Sequence, residues 1–152
     1  MQRRAILQRL RLIVVCAAIM LGALWLQWSP HGPRLALRVE QPAQLRVGQE
    51  AALRLIIGNP HRRPVRLEDV DVASGYIQGL VIVGAAPAPR RGLWHERLQV
   101  FSISYDQDLA PGALDEWVIR VKAIRPGRFR GEVAVYSATN VPSAWLDTRV
   151  IP

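Results

Sequence analysis

The segment Leu12 to Leu26, LIVVCAAIMLGALWL, holds neither a charge nor a proline, and no other stretch limits the chain as strongly. Arg3, Arg4, Arg9 and Arg11 precede it, Trp25 and Trp28 close it, and Ser29-Pro30-His31-Gly32-Pro33 interrupts it. A helix that spans a bilayer needs about 20 mostly apolar residues, within a range of about 17 to 25. Leu10 to Trp28 meets that length if the Arg11 side chain bends back to the headgroups while Leu12 opens the apolar stretch. Trp25 and Trp28 suit the far interface, where an indole buries its ring and keeps its N–H wet. Basic residues ahead of a first apolar helix hold the N-terminus in the cytoplasm. The expectation is a single-pass protein of the cell membrane. It has a basic arm over 1–11, a transmembrane signal-anchor helix over 12–28, a Pro/Gly linker over 29–34 and an extracytoplasmic domain over 35–152.

Two rival readings of the run stay open. A cleaved signal peptide shares the basic and apolar regions. It lacks a clean small-x-small site here, because Leu26-Gln27-Trp28 puts bulky residues where a peptidase wants small ones. Lipidation at Cys16 would need Gly, Ala or Ser just before the cysteine, and Ile13-Val14-Val15 stands there instead. Within the run, Ala18 and Gly22 place small residues on one helix face, which lets a second helix approach closely in lipid. The five linker residues from Ser29 to Pro33 reach less than about 20 Å when extended. Two of them are proline, so the domain is held near the bilayer surface.

Charge narrows the partners. The chain carries 20 Lys+Arg and 12 Asp+Glu for a net +8; setting aside the four arginines before the run leaves 16 against 12, a net +4. These charges are interspersed and form no basic block, so nucleic acid is not an expected partner. Membrane lipid and an integral-membrane protein are. The chain has one cysteine, Cys16, which excludes an intrachain disulfide.

Beyond Pro33 the pattern changes to short alternating runs punctuated by Gly and Pro. Leu35–Glu40, Leu45–Val47, Glu50–Asn59, Val65–Val72, Leu80–Val83, Arg97–Tyr105, Glu116–Ala123, Phe129–Tyr136 and Trp145–Ile151 read as strands. Trp117, Ile119, Val121 and Ala123 are expected on a buried face, as are Leu53, Leu55 and Ile57. A bulge is expected near Glu68-Asp69, where alternation slips. Ala110-Pro111-Gly112-Ala113 reads as a type II turn, and Arg125-Pro126-Gly127-Arg128 repeats its chemistry. Ser74-Gly75 reads as a turn, Ala85 to Gly92 as a solvated Pro-rich loop, and the last strand as an edge. The fold class implied is all-β, an antiparallel sandwich of about seven strands preceded by one transmembrane helix.

Three stretches carry a family likeness. Val47-Gly48-Gln49-Glu50 precedes a strand ending in Asn59-Pro60. Leu109-Ala110-Pro111-Gly112 precedes the Trp117 strand. Arg125-Pro126-Gly127 leads into Phe129-x-Gly131-x-Val133-x-Val135. In these the domain resembles bacterial extracytoplasmic immunoglobulin-like modules of the CARDB and related types. The resemblance implies an immunoglobulin-like sandwich, and a role as spacer, adhesive unit or subunit contact.

No catalytic constellation is found. His31, His61 and His95 are scattered, a second cysteine for zinc is missing, and no phosphate loop or nucleophile elbow occurs. Neither enzyme chemistry nor a cofactor or metal is expected. Glu68-Asp69-x-Asp71 and Asp106-x-Asp108 could offer oxygens to calcium if their loops meet, although solvated carboxylates beside arginine are the favoured reading. Arg62-Arg63 and Arg90-Arg91 could touch anionic headgroups. Arg90, Arg91 and Trp94 are the candidate partner contact, while Trp117 and Trp145 are expected in the core. The function expected is a non-enzymatic accessory subunit beside a larger transport, respiratory or photosynthetic membrane complex. The alternative is a cell-surface or periplasmic binding module for polysaccharide or a protein partner.

Overall fold

The computed structural model describes residues 34–152. Ten strands follow one another: β1 (Ala36–Glu40), β2 (Gln44–Arg46), β3 (Glu50–Gly58), β4 (Val65–Ala73), β5 (Leu80–Ala86), β6 (Arg91–His95), β7 (Val100–Leu109), β8 (Leu114–Ala123), β9 (Gly127–Ser137) and β10 (Ser143–Ile151). A one-turn helix, α1 (Ser74–Ile77), joins β4 towards β5. The strands form a four-stranded sheet ordered β1-β3-β8-β5 and a six-stranded sheet ordered β2-β10-β9-β4-β7-β6.

Period-two patterning explains the division between core and surface. In β8, Trp117, Ile119, Val121 and Ala123 are buried while Glu116, Arg120 and Lys122 are exposed. Leu53, Leu55 and Ile57 of β3 meet them from the neighbouring strand, and Val133 and Val135 of β9 lie in the same core cluster. Each buried Val, Leu or Ile among them contributes roughly 1.5–3 kcal/mol when it leaves water. A single slip of register would carry the whole apolar set to the solvent face, so the pairing is strongly specified.

The order β1-β3-β8-β5 against β10-β9-β4 is that of a constant-type immunoglobulin sandwich, in which seven strands are divided four and three between the sheets. Two additions account for the difference from the expected seven. The β6–β7 hairpin is inserted between β5 and β8 and extends the larger sheet beyond β4, and β2 adds a short strand at the other end. The described domain is therefore an immunoglobulin-like β-sandwich.

Several local expectations hold. The register slips between Leu67 and Asp69, where the bulge was placed. Gly112 has φ +68 and the Ala113 N–H donates to the Ala110 carbonyl at 3.1 Å, which closes the type II turn. Gly127 differs: it opens β9 at φ +148, a conformation that favours glycine, with the Phe129 ring against it. Ser74-Gly75 begins α1 rather than a simple turn, and Tyr76 of that helix is wholly buried. The Pro-rich loop is shorter than expected, since Arg91 and Gly92 already belong to β6. Arg97 and Leu98 lie in the hairpin turn before β7.

The sheets are not purely antiparallel, and β10 is not an edge. β2 pairs parallel to β10 from Gln44↔Arg149 to Arg46↔Ile151. Below that short pairing a side chain replaces the strand. Gln41 Oε1 accepts from the Asp147 backbone N–H at 2.8 Å, and Gln41 Nε2 donates to the Trp145 carbonyl at 3.3 Å. Next to it, the Thr148 hydroxyl donates to the Pro42 carbonyl at 2.7 Å.

Candidate interaction surface

The inserted hairpin carries the candidate contact residues. Among the described residues β6 pairs only with β7, through Arg91↔Ser104, Gly92↔Ile103, Leu93↔Ser102, Trp94↔Phe101 and His95↔Val100, and none of them covers its outer edge. Alternation along β6 puts Arg91 and Leu93 on the face of Ser104 and Ser102, and Gly92 and Trp94 on the face of Phe101. A side chain at Gly92 would meet the Phe101 ring at 2.7 Å, so that ring covers the glycine. Leu93 is 48% exposed, Trp94 39% and Leu98, in the turn, 68%. Arg90, Arg91 and Trp94 thus share one short segment but point to two sides of it.

Behind this edge, charges are matched in rows. Asp106 sits at a bulge with φ +59 and is held by both Arg66 and Arg90. Ser104 Oγ donates to Asp69 Oδ1 at 2.5 Å, and Ser102 Oγ donates to Asp71 Oδ1. Glu68, Asp69, Arg90, Arg91, Ser104 and Asp106 line one shallow depression here. The two acidic stretches therefore do meet, but serine already engages Asp69 and Asp71, and arginine engages Asp106. Among the described residues no group of three or more His, Cys, Asp or Glu could hold a metal ion.

Other residues singled out from the sequence fall as follows. Trp117 is buried, with its indole N–H donating to Asp115 Oδ2 at 2.9 Å. Trp145 is not in the core: it is 64% exposed on the outer face of the larger sheet. The phase of β10 explains this, because Leu146, Thr148 and Val150 occupy the inward positions and Trp145 is out of step with them. Tyr136 of β9, also outward, is 40% exposed. Arg62 and Arg63 are exposed in the connection after Asn59, away from the hairpin in sequence. On β10, Asp147 accepts from Arg128 Nε at 2.8 Å and from Arg130 Nε at 3.1 Å. The hydrogen bond from Arg128 is the main cause that holds its carboxyl below the usual range. Arg11, Leu12, Ala18, Gly22, Trp25 and Trp28 lie outside the described residues. Among those described, no helix is long and apolar enough to cross a membrane.

Sequence reasoning missed Leu93 and Leu98 as surface residues. Their signal was weak: the five residues of β6 show almost no contrast between faces, four being exposed and one half-buried.

No protein-family model matches the sequence, and no curated protein matches it. Solved structures share the fold. Escherichia coli alpha-2-macroglobulin activated by porcine elastase is similar with a TM-score of 0.54 and 20% identity, over 78% of this chain and 9% of that one. The C-terminal domain of the Streptococcus agalactiae AgI/II polypeptide BspA gives 0.54 and 12% identity, over 77% of this chain and 50% of that one. A CARDB domain from Pyrococcus furiosus gives 0.49 and 14% identity, over 81% and 97%, a likeness too loose to add to the fold assignment. This chain thus spans about a tenth of the macroglobulin and half of the streptococcal domain.

Proposed function

We propose that this chain is a non-enzymatic, single-pass membrane protein whose immunoglobulin-like domain binds other protein at the outer surface of the membrane, as an accessory subunit of a larger membrane complex. The observation that carries the binding role is the open β6 edge, with Leu93, Trp94 and Leu98 bare beside it. An exposed sheet edge offers unpaired backbone groups, and apolar side chains flanking it favour a protein partner over water. The membrane part of the reading rests on the sequence: the Leu12–Leu26 run, its arginine flank and its terminal tryptophans. The short, proline-containing linker supports a partner that is itself in or on the same membrane. Two experiments test this. After an alkaline carbonate wash of membranes the intact chain is expected in the pellet, and its recovery in the supernatant overturns the anchor. After mild-detergent extraction it is expected in a larger assembly, and a lone monodisperse 17.0 kDa species in several detergents overturns the accessory role.

A second reading has its own observation. Trp145 and Tyr136 are exposed on one outward sheet face, as a polysaccharide-binding module requires. Binding on a glycan array that disappears with Trp145→Ala would establish it, and an array without binding would remove it.

A further inference from the structure

Four strands end the two sheets, and three of them are guarded against further pairing. β1 carries the Arg38–Glu40 ion pair at 2.9 Å, β2 is only three residues long, and β5 is broken by a register shift between Ile82 and Gly84. Short edges, charges and bulges are the usual devices that stop sheets from joining. β6 is the least guarded: it is five residues long, and its one charge, Arg91, stands at its first position. Its pairing with β7 runs without a shift from Arg91 to His95, it contains no proline, and no charged residue follows Arg91 within it.

From this we infer that β6 pairs with β6 of a second copy of this chain, antiparallel across a two-fold axis at Leu93. The inference rests on the proposed role of this edge in binding protein, and it names the partner. The sequence of the strand is complementary to itself in that register. Leu93 faces Leu93 of the copy, Gly92 faces Trp94, Arg91 faces His95 and Arg90 faces Glu96. Gly92 has no side chain of its own, and the Trp94 indole of the copy would lie over it against the Phe101 ring that covers it. Glu96 has no cation bound among the described residues, and Arg90 of the copy, which also pairs with Asp106 of its own chain, would supply one at each end of the pairing. Opposite charges across neighbouring strands are favourable, whereas like charges are not. A C2 contact of this kind closes on itself: it joins two six-stranded sheets into one continuous sheet and leaves no open β6 edge. Five residues a side make a small interface, which is weak for molecules free in solution. Confinement of both copies to one membrane raises their effective concentration and favours the pairing there.

The test is disulfide trapping with the full chain in native membranes, in a Cys16→Ser background. Directly opposed strand residues bring their Cβ atoms to about 4.5–5.5 Å, close enough for a disulfide after small adjustment. Leu93→Cys is expected to give a covalent homodimer at several times the yield of Leu114→Cys and Ile124→Cys, both at exposed sites off this edge. Within the Leu93→Cys chain, Glu96→Arg alone is expected to lower the yield several-fold, and Glu96→Arg with Arg90→Glu to restore it. Leu93, Leu114, Ile124, Glu96 and Arg90 are exposed, and where Arg90→Glu gives up the ion pair with Asp106, Arg66 still holds that carboxylate. Equal yields at the three cysteine positions, or no restoration by the double change, overturn the self-pairing. A Leu93→Cys adduct with a different protein and no homodimer overturns self-pairing but leaves the edge as a binding site. No adduct of either kind overturns both readings.

Discussion

Tyr105 of β7 packs against Trp117 of β8 between the two sheets, with ring centroids 4.0 Å apart and ring planes at 38°. Their polar atoms fare differently. The Trp117 indole N–H reaches Asp115, whereas the buried Tyr105 hydroxyl finds no hydrogen-bond partner among the described residues. A buried hydroxyl without a partner costs about 1–3 kcal/mol. Tyr105→Phe keeps the ring contact and removes the orphan, so it is expected to raise stability by roughly 1 kcal/mol. A shift of the urea midpoint to higher concentration at unchanged slope would show it, and a lower midpoint would contradict it.

The same hydroxyl makes stability depend on alkaline pH. Burial pushes Tyr105 up to about 12, and burial also raises Tyr76, against a smaller lowering by the Thr148 hydroxyl. An unfolded tyrosine releases its proton near pH 10. Between about pH 10 and 12 the unfolded chain therefore binds fewer protons than the folded one, and stability falls as pH rises. Below that window the contribution is complete. Unfolding midpoints measured across this range are expected to decline, and less steeply in Tyr105→Phe.

Asn59 is 2% exposed and ties two connections together. Its side-chain amide donates to the carbonyls of Leu109 at 2.9 Å, Arg63 at 3.0 Å and Ala110 at 3.1 Å, while Oδ1 accepts from the His61 N–H at 2.9 Å. Two amide hydrogens serve three acceptors, so one is shared. Asn59→Ala strands buried carbonyls and is expected to cost about 2–4 kcal/mol. Faster amide exchange confined to residues 59–64 and 109–113 would locate the damage there.

Strands with one wet face and one dry face were legible in the sequence. β8 alternates strictly, and the expected inward set of Trp117, Ile119, Val121 and Ala123 is the buried set. The same logic was available for Trp145. Its spacing from Leu146 and Val150 puts it on the opposite face, but aromatic identity outweighed phase in the sequence reading. β6 was illegible for a different reason: as an overhanging edge it buries neither face fully, so its residues carry no alternating imprint. The serine–aspartate rows could not be read either, because they depend on cross-strand register, which bulges at Glu68 reset. Asn59-Pro60 was legible as a strand end; its amide network required the distant Leu109 carbonyl.

Gly79 precedes β5 where the chain passes the Phe129 ring. A Cβ there would overlap the Phe129 ring at Cζ, closer than any contact allows. Gly79→Ala is expected to cost about 1–3 kcal/mol by forcing the ring aside. Phe129→Leu removes the obstructing ring atoms at a cost of its own. In a double-mutant cycle the two changes are expected to be less damaging together than their sum, with a coupling of about 1 kcal/mol. Additive effects would mean that the clash is relieved elsewhere.

Gln41 links stability to the exposed face that carries Trp145. Its amide occupies the backbone of β10 at Trp145 and Asp147, where β2 does not reach. Gln41→Ala withdraws both hydrogen bonds. Because the site is partly solvated, the expected cost is modest, about 1–2 kcal/mol. The larger effect is on association: the change opens a second sheet edge beside a bare tryptophan, and an unguarded edge invites pairing with another chain. Gln41→Ala is expected to produce concentration-dependent oligomers in detergent that the Leu93→Lys change at the β6 edge does not suppress. Gln41→Glu retains an acceptor for the Asp147 N–H and should fall between Gln41→Ala and the unchanged protein. If Leu93→Lys abolishes the new oligomers, the exposed strand is β6 and the guarding role of Gln41 is wrong.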